Sequence, residues 1–208
     1  MPGRTAGALL GTALLLAACA GPPPPEPVYV PPSYSYLNPL RLDVGTVEIA
    51  DDWTPGPEDA GVLAPVRPLD ALHRMAADRL GAGGSAGRVV LRIQDASIRR
   101  TGERLDGNFA VRLEVVGADG ALRGFAVARV TRTTTLPDDD ALRPTLYAMI
   151  NDMMRDMNVE LEFQVRRTLA RFLVGASPAG AAVPAPVQQQ PLPPPGAAPL
   201  GAPLPSGI

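Results

Sequence analysis

Most enzyme chemistry draws on a thiolate, an imidazole or a cluster of carboxylates, and this chain is sparing with all three. Its 208 residues include one Cys, Cys19, and one His, His73. A lone Cys excludes an internal disulfide framework and any CxxC redox or zinc motif. A lone His excludes a His-rich metal site. Nucleophilic catalysis needs a Ser, Cys or Thr beside a positioned base, and no GxSxG elbow is present. His73 follows Leu72 on an apolar helical stripe and reads as a surface residue or local hydrogen-bond partner. Asp138, Asp139 and Asp140 lack the interleaved spacing and the Gly of a calcium loop. At the start of a helical pattern, such residues cap open N–H groups and complement the helix dipole. Gly81-Ala82-Gly83-Gly84 follows a helix and precedes a strand, the reverse of a phosphate cradle, and reads as a linker. No catalytic residue, metal or cofactor is expected, and the chain is not expected to be an enzyme.

The polar chemistry that stands out is arginine. All 19 basic residues are Arg, and the formal net charge is −2, which gives no global pull toward nucleic acid. From Arg88 to Arg132, however, there are nine arginines against five acids. With Leu91 and Leu113 facing inward, Arg92 and Arg112 project from the opposite sheet face, and Arg129 joins them if its strand has the matching phase. Guanidinium groups grip phosphate or carboxylate in a two-pronged fashion. Arg92, Arg112 and Arg129 are therefore candidates for contact with an anionic surface or an acidic partner, against the plainer alternative of a solvated antiparallel face.

The elements that must position these residues lie between Leu40 and Val174. Leu40, Leu42 and Val44 alternate as a strand, and Val47 and Ile49 continue it in the opposite phase across Gly45, read as a bulge. Asp51 to Pro68, with Pro55, Gly56, Pro57 and Pro65, reads as a loop. A short helix starts at Pro68, buries Leu69, Leu72, Ala76 and Leu80, and ends at Gly81. Val89, Leu91 and Ile93 form the next strand, continued by Ala96 and Ile98 after a phase slip. Phe109 to Val115 is a third strand and Leu122 to Thr134 a fourth, joined by the turn Gly117-Ala118-Asp119-Gly120. The phase of the fourth strand is open: either Phe125 and Val127 or Ala126, Ala128 and Val130 face inward. Apolar residues from Leu142 to Phe172 then recur every three or four positions, marking a long helix. The methionines at 149, 153, 154 and 157 fall on it and read as core filling; exposure of Met154 with Tyr147 would instead mark a docking face. The expected class is α+β: an antiparallel sheet of about four strands with a short and a long helix on one face, in the order β-α-β-β-β-α.

Arg4 followed by the apolar run Ala6 to Leu16 is too short to span a bilayer and has the form of a secretory signal. Leu16-Ala17-Ala18-Cys19 resembles the lipobox of bacterial lipoproteins. The resemblance implies residues 1–18 as a signal peptide cut between Ala18 and Cys19, and Cys19 as the lipidated first residue of the mature chain. More than one acyl chain gives stable anchoring. Ala20, rather than Asp, implies the outer membrane with the domain facing the periplasm; the inner membrane is the weaker alternative. Residues 19–39 carry eight prolines and read as an extended linker; Tyr29, Tyr34 and Tyr36 read first as exposed along it, with packing on the domain or on a partner as the alternative. Residues 40–174 form the globular domain. Residues 175–208, with ten prolines and no charged residue, read as a disordered tail.

The segment from Leu69 to Leu173 also resembles the YajG-like outer-membrane lipoproteins. The shared pattern is a helix ending in Leu80-Gly81, then Val89-Val90-Leu91-Arg92-Ile93 and Val111-Arg112-Leu113-Glu114-Val115. A turn at Asp119-Gly120, an acidic run and a closing helix with Asn151-Asp152 complete it. Similar two-layer domains occur in auxiliary lipoproteins of lipid and lipopolysaccharide transport. The resemblance implies a binding or accessory lipoprotein of a cell-envelope complex, held to the membrane by its lipid and partnered by an envelope protein. An anionic lipid or peptidoglycan is a further candidate contact, and nucleic acid is not. The alternative is a structural spacer that touches the cell wall through its proline-rich tail.

Overall fold

The computed structural model of the protein describes residues 27–175. The signal segment, Cys19 and the tail from residue 176 onward lie outside the described residues. In chain order the elements are β1 (Leu40–Leu42), β2 (Thr46–Asp51), α1 (Pro68–Arg79), β3 (Leu80–Ala82), β4 (Arg88–Thr101), β5 (Arg104–Val116), β6 (Leu122–Thr135) and α2 (Leu142–Thr168). Short 3-10 turns occupy Ala60–Leu63 and Ala170–Phe172.

Four strands form one sheet in the order β2-β4-β5-β6, and β1 pairs with β3 in a second, two-stranded sheet. The α+β class read from the sequence holds. Its antiparallel part is the meander β4-β5-β6, whereas β2 joins the edge in parallel with β4. The reason is connectivity: α1 lies between β2 and β4, and a crossover of that kind returns the chain in the same direction. Gly45 is likewise no bulge within one strand. It marks the point where the chain leaves the small sheet for the large one, and a Cβ there would stand 3.1 Å from the Ser85 carbonyl oxygen. The Gly81 to Gly84 stretch is more than a linker: α1 passes directly into β3, which pairs with β1 from Leu40↔Leu80 to Leu42↔Ala82. Gly83 and Gly84 then donate to the Leu42 and Val44 carbonyls at 2.8 and 3.0 Å.

The sheet's inner face is read off its period of two. Leu91, Leu113 and Ala126 lie side by side, as do Ile93, Val111 and Ala128, and all six are buried. This resolves the phase of β6, whose alanines face inward. The slip expected in β4 is a bulge between Ile93 and Asp95, which keeps Ala96 and Ile98 in the core. Small residues on the inner side leave room for α2. Gly107 is the extreme case, since a Cβ there would come within 2.5 Å of the Met153 sulfur. All four helix methionines are buried, and Met154 is 0% exposed, so the exposed Met154–Tyr147 face does not form. Among the described residues no helix is long and apolar enough to cross a membrane.

Residues 29–38 pack on the domain as a strap, so for Tyr29 and Tyr34 the packed alternative holds in place of the exposed linker. Tyr34 is 4% exposed, while Tyr36 stays in solvent. The Tyr29 ring meets Tyr147 of α2 edge-on at 5.1 Å, and the Tyr147 hydroxyl donates to the Val30 carbonyl at 2.8 Å. Further along, the Tyr34 N–H donates to Asp78 of α1 at 2.7 Å. Burial, with Tyr36 and Asp78 nearby, pushes the Tyr34 phenol well above its ordinary value. The strap closes on Arg79, which is 1% exposed and donates to the Asn38 carbonyl and to Glu162 of α2. Burial pushes the Glu162 carboxyl up, but hydrogen bonds from Arg166 and Arg79 outweigh it and hold the group below the usual range.

A buried cation stripped of its counter-ion is costly, whereas an exposed ion pair contributes little. Glu162→Ala should therefore destabilise the fold by about 3 kcal/mol. Arg166→Ala, which removes only the exposed partner of the same carboxylate, should cost less than about 1 kcal/mol. Urea denaturation of the two variants checks the ranking.

Candidate functional site

The outer sheet face, turned away from the helices and the strap, carries the arginines singled out in the sequence. Register sets Arg92 of β4 directly opposite Arg112 of β5, and Arg112 opposite Val127 of β6. Like charges facing each other across a ladder repel unless something lies between them. Glu114, two residues along on the same face, supplies it. Its carboxylate accepts from Arg112 Nε at 2.7 Å and from Arg92 Nε at 3.0 Å. Arg92 also donates to Asp52 at 3.1 Å. The hydrogen bond from Arg112 is the main reason the Glu114 carboxyl lies below its ordinary range; burial opposes the shift and Arg92 adds to it. The Arg112 guanidinium is stacked 3.9 Å above the Phe125 ring, a cation–π contact.

Asp52, Arg92, Glu114 and Arg112 thus form a neutral network rather than an open anion grip. Arg129 stands one row away, opposite Ala110, exposed and without an ion pair to any described residue. Of the three predicted arginines, two are brought together and one is left apart. The patch also has an apolar side: Phe125 and Leu122, 47% and 50% exposed, lie along β6, which is an edge strand of 14 residues. An aromatic ring covered by Arg beside exposed Leu is the composition of a protein-docking patch more than of a phosphate site.

Beyond this patch the twisted face deepens into a concavity of roughly 530 Å³ lined by Asp95, Ser97, Arg99, Asp106, Asn108, Thr131 and Thr133 among others. Part of its lining is satisfied from within. Asn108 donates to Asp95 at 2.6 Å, Thr133 to Asp106 at 2.7 Å and Arg104 to Asp106 at 2.8 Å. The bond from Arg104, followed by that from Thr133, holds the Asp106 carboxyl low.

Other singled-out residues have local partners. His73 Nε2 lies 2.7 Å from Asp51 Oδ1 and ties α1 to β2, the hydrogen-bond role expected for it. Asp138 accepts from the Ala141 N–H at 2.8 Å just ahead of α2, and Asp139 pairs with Arg100 of β4. The acidic run therefore serves the turn into the helix and an ion pair; the helix's own N-cap, Ala141, has no side-chain cap. Sequence reasoning reads Asp51 to Pro68 only as a loop and misses the part from Asp52 to Leu63. In the structure it packs Trp53 and the buried Asp59 against β4. Its one available signal was the chain's only Trp, set among prolines and glycines.

No family model matches the chain, and no curated protein does. Among solved structures, a Xanthomonas campestris protein of the family DUF330 is similar over 65% of this chain and 92% of its own, at 9% identity and a TM-score of 0.42. A putative lipoprotein from Caulobacter crescentus is similar over 57% of this chain and 85% of its own, at 20% identity and a TM-score of 0.32. An uncharacterized lipoprotein from Nitrosomonas europaea is similar over 61% and 86%, at 14% identity and a TM-score of 0.35.

The Glu114 network makes a pH prediction. A carboxyl whose folded pKa is depressed adds stability that is fully present above its unfolded value, about 4.3. That stability is lost as pH falls through the folded value. Glu114→Gln should cost about 1–2 kcal/mol at neutral pH. The gap to wild type should close progressively below about pH 4, as read by denaturant titration across pH.

Proposed function

We propose that this protein is a lipid-anchored, periplasm-facing lipoprotein that serves as a non-catalytic binding or accessory subunit of a cell-envelope complex. The observation that carries the reading is the sole cysteine at the end of Leu16-Ala17-Ala18-Cys19. It precedes a proline-rich segment whose last part, residues 29–38, straps the helical side of the domain. Among the described residues no helix or strap segment covers the outer sheet face on the other side. Ala20 after Cys19 favours the outer membrane.

In this reading the Arg112–Phe125 pair and Leu122 meet an envelope protein. Aromatic and Arg side chains dominate the energetics of such contacts because they exclude water over a large area and still place a charge or hydrogen bond at the edge. A phosphate-rich surface is the weaker candidate, since Glu114 and Asp52 already neutralise Arg92 and Arg112.

The chain contains no lysine, so amine-reactive crosslinkers have no side chain to attack. A photoreactive residue placed at Leu122 in cells avoids the problem. A discrete envelope protein should be captured, and capture should fall at least about tenfold in the Arg112→Glu, Phe125→Ala double variant, since two contacts of about 1 kcal/mol or more are removed. Cys19→Ser should release the protein from the membrane fraction. Muropeptides attached through residues 176–208, with no protein captured at Leu122, would point instead to the wall-contacting spacer.

A further inference from the structure

The solvent side of α2 carries an apolar pair that the described residues do not cover. Val159 and Phe163, one helical turn apart and so neighbours on one face, are 72% and 53% exposed. Both point away from the buried stripe of Met153, Met157 and Leu161. A helix that packs on a sheet by one stripe ordinarily turns polar residues outward. The residues flanking the pair are charged and of both signs, with Asp152 and Arg155 on the N-terminal side and Arg166 on the C-terminal side.

The order of these residues is symmetric. Counting outward from Val159, Arg155 and Phe163 stand four residues away, and Asp152 and Arg166 seven. Offsets of four and seven keep to one face of a helix. Two copies of α2 laid antiparallel, with their Val159 side chains on a two-fold axis, therefore set Phe163 of each against Arg155 of the other. They also set Arg166 of each against Asp152 of the other. The first contact is cation–π and the second an ion pair, and the symmetry makes each of them twice. An in-register parallel pair would instead oppose Arg to Arg and Asp to Asp. The charges are available for the antiparallel arrangement. Asp152 is partly exposed beside Arg155 and Arg132, and Arg166 is exposed while donating to Glu162 at 2.9 Å. A carboxylate accepts at more than one site and a guanidinium donates from several, so the added pair need not break these. Arg155 is exposed and can turn from Asp152 to the ring.

We propose that this face of α2 is a homodimer interface: a second copy of the chain covers Val159 and Phe163 by antiparallel pairing of its own α2 about a two-fold axis at Val159. An anionic membrane surface fits less well, because it would attract Arg155 and Arg166 and repel Asp152 and Asp156 on the same side of the helix. The seam from Asp152 to Arg166 is roughly 21 Å long at the helical rise. It buries less area than the roughly 1,200 Å² at the lower end of stable complexes. The dimer is accordingly weak, and a covalent trap suits it. The pairing is independent of lipid anchoring and uses the layer opposite the outer sheet face.

Two differently tagged full chains are made in the same cells, one of them with photoreactive benzoylphenylalanine in place of Phe163. Illumination should join the two tags in one band, and the linked peptide of the second copy should contain Arg155. Val159→Glu touches none of the ion pairs and sets two like charges on the axis, so it should lower this capture at least about tenfold. Asp152→Arg and Arg166→Asp should each lower it about fivefold or more, since two attractive pairs become repulsive. The two changes together should restore capture to within about twofold of the parent, because the swapped pairs again have opposite signs. Should a charge variant fail to fold, Val159→Glu and the position of the linked peptide decide. No self-capture, capture of a different protein alone, a link far from Arg155, or self-capture unchanged in Val159→Glu would overturn the proposal. So would a folded double variant that is captured no better than either single one.

Discussion

A guanidinium withdrawn from water must have its charge answered within the protein, and the burial of Arg79 imposes that demand where three segments meet. It extends from the last turn of α1, reaches Glu162 on α2 and holds the Asn38 carbonyl just ahead of β1. Neither helix can shift along the other without breaking the charge pair, and the strap cannot lift without freeing a donor. Because β3 begins at the residue after Arg79, the same anchor places the small sheet, and through Gly83 and Gly84 it aligns the entry to β4. The register of the outer face thus rests on a cation on the inner side.

Much of this was legible because side-chain periodicity is local. The alternation in β4, its slip at the Ile93–Asp95 bulge, the Gly117–Gly120 turn and the stripe on α2 follow from which residues must leave water. The parallel edge was not legible, since the run from Leu40 to Ile49 has one apolar pattern and two destinations. Nothing in Val44-Gly45-Thr46 says that one half will pair with Leu80–Ala82 and the other with Arg88–Ile93. Such choices belong to contacts far apart in sequence. The burial of Tyr34 is hidden for a related reason: a tyrosine among prolines reads as linker until Asp78 is known to receive its backbone N–H.

The candidate site was legible as a list of residues, but its electrostatics were not. A local excess of arginine suggested an open cationic face, yet a tally along the chain does not record pairing across strands. Asp52 lies on the far side of the α1 crossover from Arg92, and Glu114 sits where it can bridge two guanidinium groups at once. The inner counterpart is Arg132, whose ion pairs with Asp152 and Asp156 fasten β6 to α2. Much of the arginine excess is therefore used within the fold, and aromatic and aliphatic groups characterise the surface beside it.

The strap has a mechanical meaning as well. Tyr147 and Glu162 lie 15 residues apart on α2, roughly 22 Å at the helical rise, and the strap covers that length between Val30 and Asn38. A pull on Pro27 directed along the helix axis toward the N-terminal end of α2 loads the Tyr147, Asp78 and Arg79 attachments in shear, all together, rather than peeling them one after another. Bonds that share a load yield later than bonds loaded in series. The domain is thereby joined to whatever lies upstream by a seam that resists tension along its length, and β1 is shielded from force behind it.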